Sequence, residues 1–298
     1  MIRSFKELLG SVKNKEKKIL AIAGAESEEI IEAAKIATEE KIISPILIGD
    51  PAKIETLCGK LNFDFKSIEI LGEKEPQRCA SLAVELVKQK KADMLMKGKV
   101  DTPTLLRAVL DKEKGLKGGK LFSHVAVVEV ERYQKLMLWT DGGINIAPDV
   151  MKKIEILKNA VQTAKKLEIE MPKAACLAAV ELVNPDMPET IDASIISKMA
   201  ERGEIKDVIV DGPVAFDVAI DSNSARTKGI ISPVSGEADI FLCPNISSCN
   251  ILVKGLIYLA GAKVGGIVVG GGAPIVLLSR SDSVEIKLLS MALGAAVC

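Results

Sequence analysis

Short runs of aliphatic and β-branched residues alternate with longer segments of helical periodicity along the whole chain. The runs predict strands at 18–23, 45–49, 67–71, 93–96, 174–179, 207–211, 238–242 and 264–269. The segments between them have an amphipathic period, clearest at 27–40 and 77–90, and predict helices; 282–296 predicts a closing helix. This alternation is typical of a parallel sheet covered by helices on both faces.

The pattern changes near the middle of the chain. Residues 124–130 and 135–140 are two apolar runs joined by a short polar turn, which predicts an antiparallel hairpin. The strand–helix alternation resumes after Asp141. We therefore expect two α/β domains facing each other across a cleft, with a boundary near 141–148. Ligands of such sheets bind at the carboxyl ends of the strands, so the loops that follow the strands are the candidate sites.

Charge and hydropathy exclude several classes of partner. The 298 residues include 40 basic and 40 acidic side chains, and 48% are apolar. A nucleic-acid or anionic-membrane partner normally requires a basic excess, so neither is expected. No stretch approaches the ~20 consecutive apolar residues of a membrane span. The segment 1–9 is too polar for a signal peptide, so we expect a cytoplasmic protein.

Cysteine and histidine usage narrows the possible chemistry. None of the six cysteines stands in a C-x-x-C pair, and most lie in apolar runs, which fits reduced thiols in the cytoplasm. His124 is the one histidine of the sequence, so chemistry that needs two histidines is excluded. We expect neither a metal site nor a tightly bound cofactor.

The segment 270–283 is the first candidate site. Three glycines and a short apolar run precede Ser279, Arg280 and Asp282, at the start of the last helix. Serine and aspartate there can simply cap the helix. Arg280 opposes the helix dipole, and an arginine beside N-terminal amides can hold a phosphate or an oxyanion. The glycines match neither a Walker loop nor a dinucleotide fingerprint.

A second candidate follows the strand at 93–96. Lys97, Lys99, Thr102 and Arg107 lie in the loop and in the first turns of the next helix, where they could bind a phosphate group. The alternative is a solvated loop in which a threonine caps the helix.

Further candidates fall where the predicted cleft lies. Ser123 and His124 precede the hairpin, Asp141 and Asp211 each start a glycine-containing turn, and Asn250 lies near a helix start. Each has a structural alternative: a histidine satisfied within the fold, ordinary turn chemistry, or a helix cap.

Together these segments resemble the phosphate acetyl/butyryltransferase family. SPVSGEAD at 232–239 is similar to that family's SPVAGKAD, DGPVAFD at 211–217 to DGPLAFD, and APIVLLSRSDS at 273–283 to APVVLTSRSDS. Residues 244–250 keep the proline and the last asparagine of PDLNAGN. The residue identities at 279–283 and the length of the chain favour the butyryltransferase branch of the family over the acetyltransferase branch.

The resemblance implies a fold, an activity and an assembly. The fold is isocitrate/isopropylmalate dehydrogenase-like, with 1–141 plus 281–298 as the first domain and 142–280 as the second. The activity is transfer of a short acyl group between coenzyme A and phosphate, with coenzyme A as co-substrate and acyl-CoA and phosphate as the ligands. A homodimer or higher homo-oligomer is expected.

It also implies roles for particular residues. Ser279 and Arg280 match the catalytic serine–arginine pair, and Arg107 matches an arginine at the phosphate end. The acetyl branch has its proposed base, an aspartate, at the position of Ile286, so Asp282 and then Glu285 are the candidate substitutes. The remaining expected substrate contacts are Lys97, Lys99, Thr102, Ser123, His124, Asp141, Asp211 and Asn250.

Four alternatives to butyryl transfer stay open from the sequence. The first is a phosphate acetyltransferase. The second is an acyltransferase with an acyl carrier protein as donor, which the even charge distribution supports little. The third is a metal- and NAD-dependent decarboxylating dehydrogenase, whose convergent aspartates and arginine trio are not found. The fourth is a non-catalytic sensor of acyl phosphate or coenzyme A.

Overall fold

The computed structural model describes residues 1–116, 121–279 and 282–298. It divides into two compact units, each described by itself below. The β1 unit comprises Lys6–Phe122 and Gly265–Cys298, and the hairpin unit comprises Met1–Phe5 and Ser123–Val264. No helix of the described part is both long enough and apolar enough to cross a membrane.

The strands of the β1 unit are in the order β3-β2-β1-β4-β11-β10. Its strands are β1 (Lys18–Ala23), β2 (Ile43–Gly49), β3 (Glu69–Gly72), β4 (Met94–Lys97), β10 (Lys263–Val269) and β11 (Ile275–Val276). Its helices are α1 (Phe5–Lys13), α2 (Glu28–Glu39), α3 (Pro51–Lys60), α4 (Pro76–Lys88), α5 (Thr102–Leu110) and α11 (Val284–Val297).

The strand register decides which loops of this unit are neighbours. β4 runs parallel to β1 on one side, with Ala23 opposite Lys97, and parallel to β11 on the other, with Val276 opposite Met96. The carboxyl ends of β1, β4 and β11 therefore lie at one edge of the sheet. β10 is antiparallel to β11.

The strands of the hairpin unit are in the order β5-β6-β9-β7-β8. Its strands are β5 (Ser123–Glu129), β6 (Met137–Thr140), β7 (Lys173–Leu177), β8 (Ile209–Val214) and β9 (Ile240–Leu242). Its helices are α6 (Val150–Lys166), α7 (Pro188–Glu201), α8 (Phe216–Ile220), α9 (Ser222–Thr227) and α10 (Ile246–Ala260). β5 and β6 are antiparallel, whereas the other pairs are parallel.

An aromatic cluster forms the centre of the hairpin unit's core. The rings of Trp139 and Phe241 stack with centroids 4.3 Å apart, and Phe216 packs against Trp139 at 5.6 Å. Offset stacking of this kind adds ~0.5–1.5 kcal/mol to the burial of the rings. The cluster fixes β6 against β9, so the loops that leave their carboxyl ends are held in place.

The predicted α/β class is confirmed, and most predicted strands are present. β1 has the predicted bounds, and the hairpin at β5 and β6 is antiparallel as expected. Asp50 caps α3 and Pro51 is its first residue, a residue order typical of a helix start. The two-residue strand β11 is missing from the prediction.

The predicted domain bounds at 141 and 280 stay a prediction. The described units change at 122/123 and at 264/265. β6 pairs with β9, so the whole hairpin belongs with the hairpin unit. β11 pairs with β4, which places residues 275–276 in the β1 unit.

Candidate functional site

Two glycines allow the loops after β1 and β4 to touch at the edge of the β1 unit. The Lys99 amide donates to the Gly24 carbonyl oxygen at 2.6 Å. A Cβ at Gly98 would lie 2.1 Å from that same oxygen, so no larger residue fits there. Gly24 itself has φ +74°, a conformation that favours glycine. The backbone of the lysine loop is therefore fixed against β1.

The start of α5 orients the predicted phosphate arginine. Asp101, rather than a threonine, is the helix cap; it accepts from the Thr104 amide at 2.9 Å and from the Thr104 hydroxyl at 2.8 Å. The same hydroxyl oxygen accepts from Arg107 Nη2 at 3.1 Å. These bonds from the Thr104 amide and hydroxyl lower the pKa of Asp101. Thr104 thus links the capping carboxylate to the guanidinium.

The two lysines of this loop lie in different surroundings. Lys97 is buried at the end of β4, and its Nζ is 3.4 Å from the Val100 carbonyl oxygen. Lys99 lines a cavity at the sheet edge. Thr102 is half-buried as the first residue of α5. The predicted role of Lys97 at the phosphate is therefore less direct than that of Lys99.

The segment after β11 approaches the same edge. The Ser279 amide donates to Asp282 Oδ2 at 2.7 Å, and Ser283 caps α11 by accepting from the Ile286 amide at 3.2 Å. Glu285 is exposed in the first turn of α11. Arg280 lies outside the described residues. Since β4 and β11 are neighbours, Ser279 and the lysine loop leave adjacent strand ends.

Lys287 lies beside the candidate site and was not among the residues predicted from the sequence. It is buried on α11, and its Nζ donates to the Asp282 carbonyl oxygen. Its charge also contributes to the lowered pKa of Glu29 on α2, whose main cause is the hydrogen bond from the Ser27 hydroxyl. The available signal was a lone lysine within the apolar part of that helix.

In the hairpin unit, the antiparallel pairing brings three predicted residues to one edge. Val125 lies opposite Thr140, so Ser123 and His124 come beside Asp141. The buried Asp141 carboxylate accepts from the Gly143 amide at 2.8 Å and from the Asn145 side chain at 2.7 Å. This carboxylate organises the glycine turn rather than pointing into solvent.

The other two predicted residues of the hairpin unit, Asn250 and Asp211, lie in different places. Asn250 Nδ2 donates to the Gly142 carbonyl oxygen at 3.1 Å, which joins α10 to the same turn. Asp211 lies within β8, at the far end of the sheet from the hairpin. Three strand spacings separate β8 from β6, about 14 Å. Within this unit, Asp211 is therefore not grouped with Asp141.

Several thiols of the described residues are buried and have raised pKa values. Burial raises the pKa of Cys79 to about 11 and that of Cys176 to about 12. A hydrogen bond with Cys243, followed by burial, raises the pKa of Cys249. A thiol in such surroundings is a poor nucleophile at neutral pH. Among the described residues, no group of three or more His, Cys, Asp or Glu side chains is placed to hold a metal ion.

Comparison with known proteins gives full-length matches. The sequence matches the family described as "Phosphate acetyl/butaryl transferase" over residues 4–81 and 73–295. It is 47% identical to the phosphate butyryltransferase of Clostridium acetobutylicum, over 100% of this chain and 99% of the relative. It is 40% identical to the phosphate acetyltransferase of Thermotoga maritima, over 97% of this chain and 98% of the relative.

Solved structures agree with these sequence matches. A branched-chain phosphotransacylase from Enterococcus faecalis aligns with a TM-score of 0.83 at 34% identity, covering 94% of this chain and 99% of the other. A 4-hydroxythreonine-4-phosphate dehydrogenase from Salmonella typhimurium aligns with a TM-score of 0.63 at 13% identity, covering 95% and 100%, and shares the fold alone. The chain therefore belongs to the phosphate acetyl/butyryltransferase family.

Proposed function

We propose that this chain transfers a short acyl group between coenzyme A and inorganic phosphate, with butyryl as the preferred group. The observation that carries the proposal is the placement of Ser279 and the Lys99–Arg107 segment on the adjacent strand ends of β11 and β4. The 47% full-length identity to a phosphate butyryltransferase supports the butyryl preference.

The chemistry follows from these groups. The sulfur of coenzyme A attacks the carbonyl carbon of the acyl phosphate, the carbon–oxygen bond to phosphate breaks, and the thiol proton passes through a carboxylate to the departing phosphate. Lys99 and Arg107 hold the phosphate, and Arg280 holds the developing oxyanion. Thr104 keeps Arg107 in place through its hydroxyl.

Proton removal is the demanding step. An unperturbed thiol and an unperturbed aspartate, at ~8.5 and ~3.9, differ by about 4.6 pKa units, which corresponds to roughly 6 kcal/mol. Asp282 Oδ2 already accepts from the Ser279 amide, so acting as the base requires that this bond be exchanged. We therefore propose that Arg280 stabilises the thiolate and that either Asp282 or Glu285 accepts the thiol proton. A cation beside the sulfur favours its charged form.

The substrate contacts of the hairpin unit complete the proposal. Ser123, His124, Asp141 and Asn250 cluster around the turn at 141–143, and we assign this turn to the acyl-CoA side. The Asn159 amide donates to the Ser123 hydroxyl at 2.9 Å, which restrains that hydroxyl. We propose Asp211 only as a more distant contact of the substrate. No tightly bound cofactor is part of the proposed reaction.

Acetyl transfer is the second candidate, because the Thermotoga maritima relative is named a phosphate acetyltransferase. Relative kcat/KM values for acetyl-, propionyl-, butyryl- and branched acyl phosphates with coenzyme A decide between them. Butyryl ranking first supports the main proposal, and acetyl ranking first replaces it.

The Arg280→Ala variant distinguishes an enzyme from a sensor that has no catalytic activity. An enzyme loses turnover far more than coenzyme A affinity, whereas a sensor shows no turnover before or after the substitution. A burst of acyl-enzyme from acyl phosphate without coenzyme A would contradict attack within a ternary complex.

We also propose a homodimer or higher oligomer in the cytoplasm. Helix α10 leaves large apolar side chains in solvent, with Ile251 71%, Tyr258 71% and Leu259 91% exposed. Exposed apolar surfaces of this kind mark protein interfaces. A monomeric mass in light scattering at micromolar concentration would contradict the assembly.

A further inference from the structure

Three side chains at the start of α5 form a series of hydrogen bonds, called the Asp101 relay below. Asp101 Oδ2 accepts from the Thr104 hydroxyl at 2.8 Å, and the oxygen of that hydroxyl accepts from Arg107 Nη2 at 3.1 Å. Asp101 Oδ1 accepts from the Thr104 amide at 2.9 Å, so both oxygens of the carboxylate are used. A hydroxyl has one proton, and here the carboxylate takes it. The hydroxyl oxygen therefore turns its lone pairs to the guanidinium.

Burial and charge fix the polarity of the relay. Thr104 is 5% exposed, so water competes little for its hydroxyl. Hydrogen bonds in series polarise one another, and a hydroxyl that donates to a carboxylate is a stronger acceptor for the next donor. The bonds from the Thr104 amide and hydroxyl, and more weakly the charge of Arg107, lower the pKa of Asp101. The carboxylate is therefore ionised at neutral pH, as the relay requires.

Helix geometry decides where the relay holds the guanidinium. Side chains three residues apart lie on one face of a helix, and long side chains point towards its amino end. The bond to Thr104 therefore holds the guanidinium of Arg107 towards the start of α5, where the chain comes from β4. Arg107 is exposed, and a guanidinium has five N–H donors. With one donor on Thr104, the planar group can still bind two phosphate oxygens.

Helix α9 begins with the same kind of cap but has no such relay among its described contacts. Asp221 accepts from the Ser224 amide at 3.1 Å and from the Ser224 hydroxyl at 2.9 Å. The following arginine, Arg226, lies two residues after Ser224 instead of three, and its guanidinium donates to Asn223. The cap of α9 is therefore a matched control for the cap of α5.

We propose that Asp101 is a positioning residue for inorganic phosphate: its charged carboxylate, acting through the Thr104 hydroxyl, holds the guanidinium of Arg107 in the orientation that binds phosphate. The inference rests on the proposed acyl transfer, in which Arg107 holds the phosphate. It adds that a carboxylate without contact to the substrate determines how tightly phosphate binds.

The test measures kcat and the KM values for phosphate and butyryl-CoA in matched variants. Thr104→Val removes the hydroxyl at nearly constant shape, and Thr104→Ser keeps it. Asp101→Asn keeps an oxygen for the Thr104 amide but replaces the other oxygen by an NH2 group. The hydroxyl then meets two donors, while its own proton loses its acceptor. Asp221→Asn makes the same exchange at the cap of α9.

We expect the KM for phosphate to rise about 10-fold in Thr104→Val and in Asp101→Asn, the equivalent of ~1.4 kcal/mol. The KM for butyryl-CoA and the kcat at saturating phosphate change much less. The double variant should match the single variants, because both substitutions interrupt one series. Thr104→Ser and Asp221→Asn keep the wild-type KM for phosphate. A loss caused only by a weaker helix cap would appear in Asp221→Asn as well.

Three kinetic results overturn the relay. The KM for phosphate is unchanged in Thr104→Val or in Asp101→Asn, or Thr104→Ser loses as much as Thr104→Val, or the two losses multiply in the double variant. NMR of the arginine side chains gives a readout independent of turnover. The guanidinium of Arg107, assigned by its absence in Arg107→Lys, should rotate slowly in wild type and freely in Asp101→Asn. Free rotation in wild type refutes the relay.

Failure of the relay and failure of the proposed function give different results. Slow rotation in wild type that is lost in Asp101→Asn, combined with a rise in the KM for butyryl-CoA in place of phosphate, supports the relay and refutes the contact of Arg107 with inorganic phosphate. The same rotation in a wild-type protein without phosphate-dependent turnover refutes only the acyl transfer.

Discussion

Replacing Lys287 by methionine removes one hydrogen bond at the segment between Ser279 and Ser283. Lys287 is 5% exposed and donates to the Asp282 carbonyl oxygen from the second turn of α11. Methionine keeps the unbranched shape and apolar stem, so packing on α11 is preserved. What is lost is the connection that holds the backbone beside Ser279.

The expected magnitude follows from the type of bond. A hydrogen bond with a charged partner contributes ~1.5–3 kcal/mol. If that loss appears in the transition state, kcat falls about 10- to 150-fold. Removing a buried ammonium also removes its desolvation cost, so the stability of the fold should change much less than kcat.

The assay measures kcat and KM separately, together with thermal unfolding. Lys287→Arg, which retains a donor, should recover part of kcat, and Lys263→Met on exposed β10 surface is the matched control. A Lys287→Met protein with wild-type kcat would refute the positioning argument. So would a loss of kcat that only parallels a loss of folded protein.

Three further predictions concern stability and reactivity. The Asp239 carboxylate is 3% exposed and lies 2.8 Å from Lys135 Nζ, so Lys135→Met leaves it without its cation. The free energy of unfolding should fall by about 3–5 kcal/mol. A melting temperature within a degree of wild type would contradict this. The hydrogen bonds from Thr104 lower the pKa of Asp101, so this carboxylate stabilises the fold above its unfolded pKa and the contribution is lost as pH falls through the folded pKa. Thr104→Val should therefore raise the midpoint of acid unfolding, and an unchanged midpoint would exclude the linkage. Burial raises the pKa of Cys79 to about 11, so iodoacetamide at neutral pH should label the half-buried Cys298 first in mass spectrometry; faster labelling of Cys79 would contradict the assignment.

Local patterns predicted the elements whose signals are strong and continuous. β1 has its predicted bounds because six residues of strand character lie between polar turns. The start of α3 follows from aspartate before proline, and the hairpin from two apolar runs around a polar turn. β11 was missed because Ile275–Val276 is too short for a periodic signal and becomes a strand only by pairing with β4 and β10.

The candidate site was predictable in its segments but less so in the details of its contacts. A threonine was one expected cap of α5, yet Asp101 takes that role because its carboxylate accepts from both the amide and the hydroxyl of Thr104. Asp211 looked like a turn residue, but the pairing of β8 with β7 keeps it inside a strand. The role of Lys287 depends on how α11 lies against the segment after β11, which no local pattern records.

Acyl transfer to phosphate is measured by the release of the coenzyme A thiol from acyl-CoA in the presence of inorganic phosphate. Acetyl-, propionyl-, butyryl- and branched acyl-CoA are each incubated with the protein, with and without phosphate, and free coenzyme A is followed over time. We expect release that depends on phosphate and is fastest with butyryl-CoA. No phosphate-dependent release from any of these thioesters would contradict it.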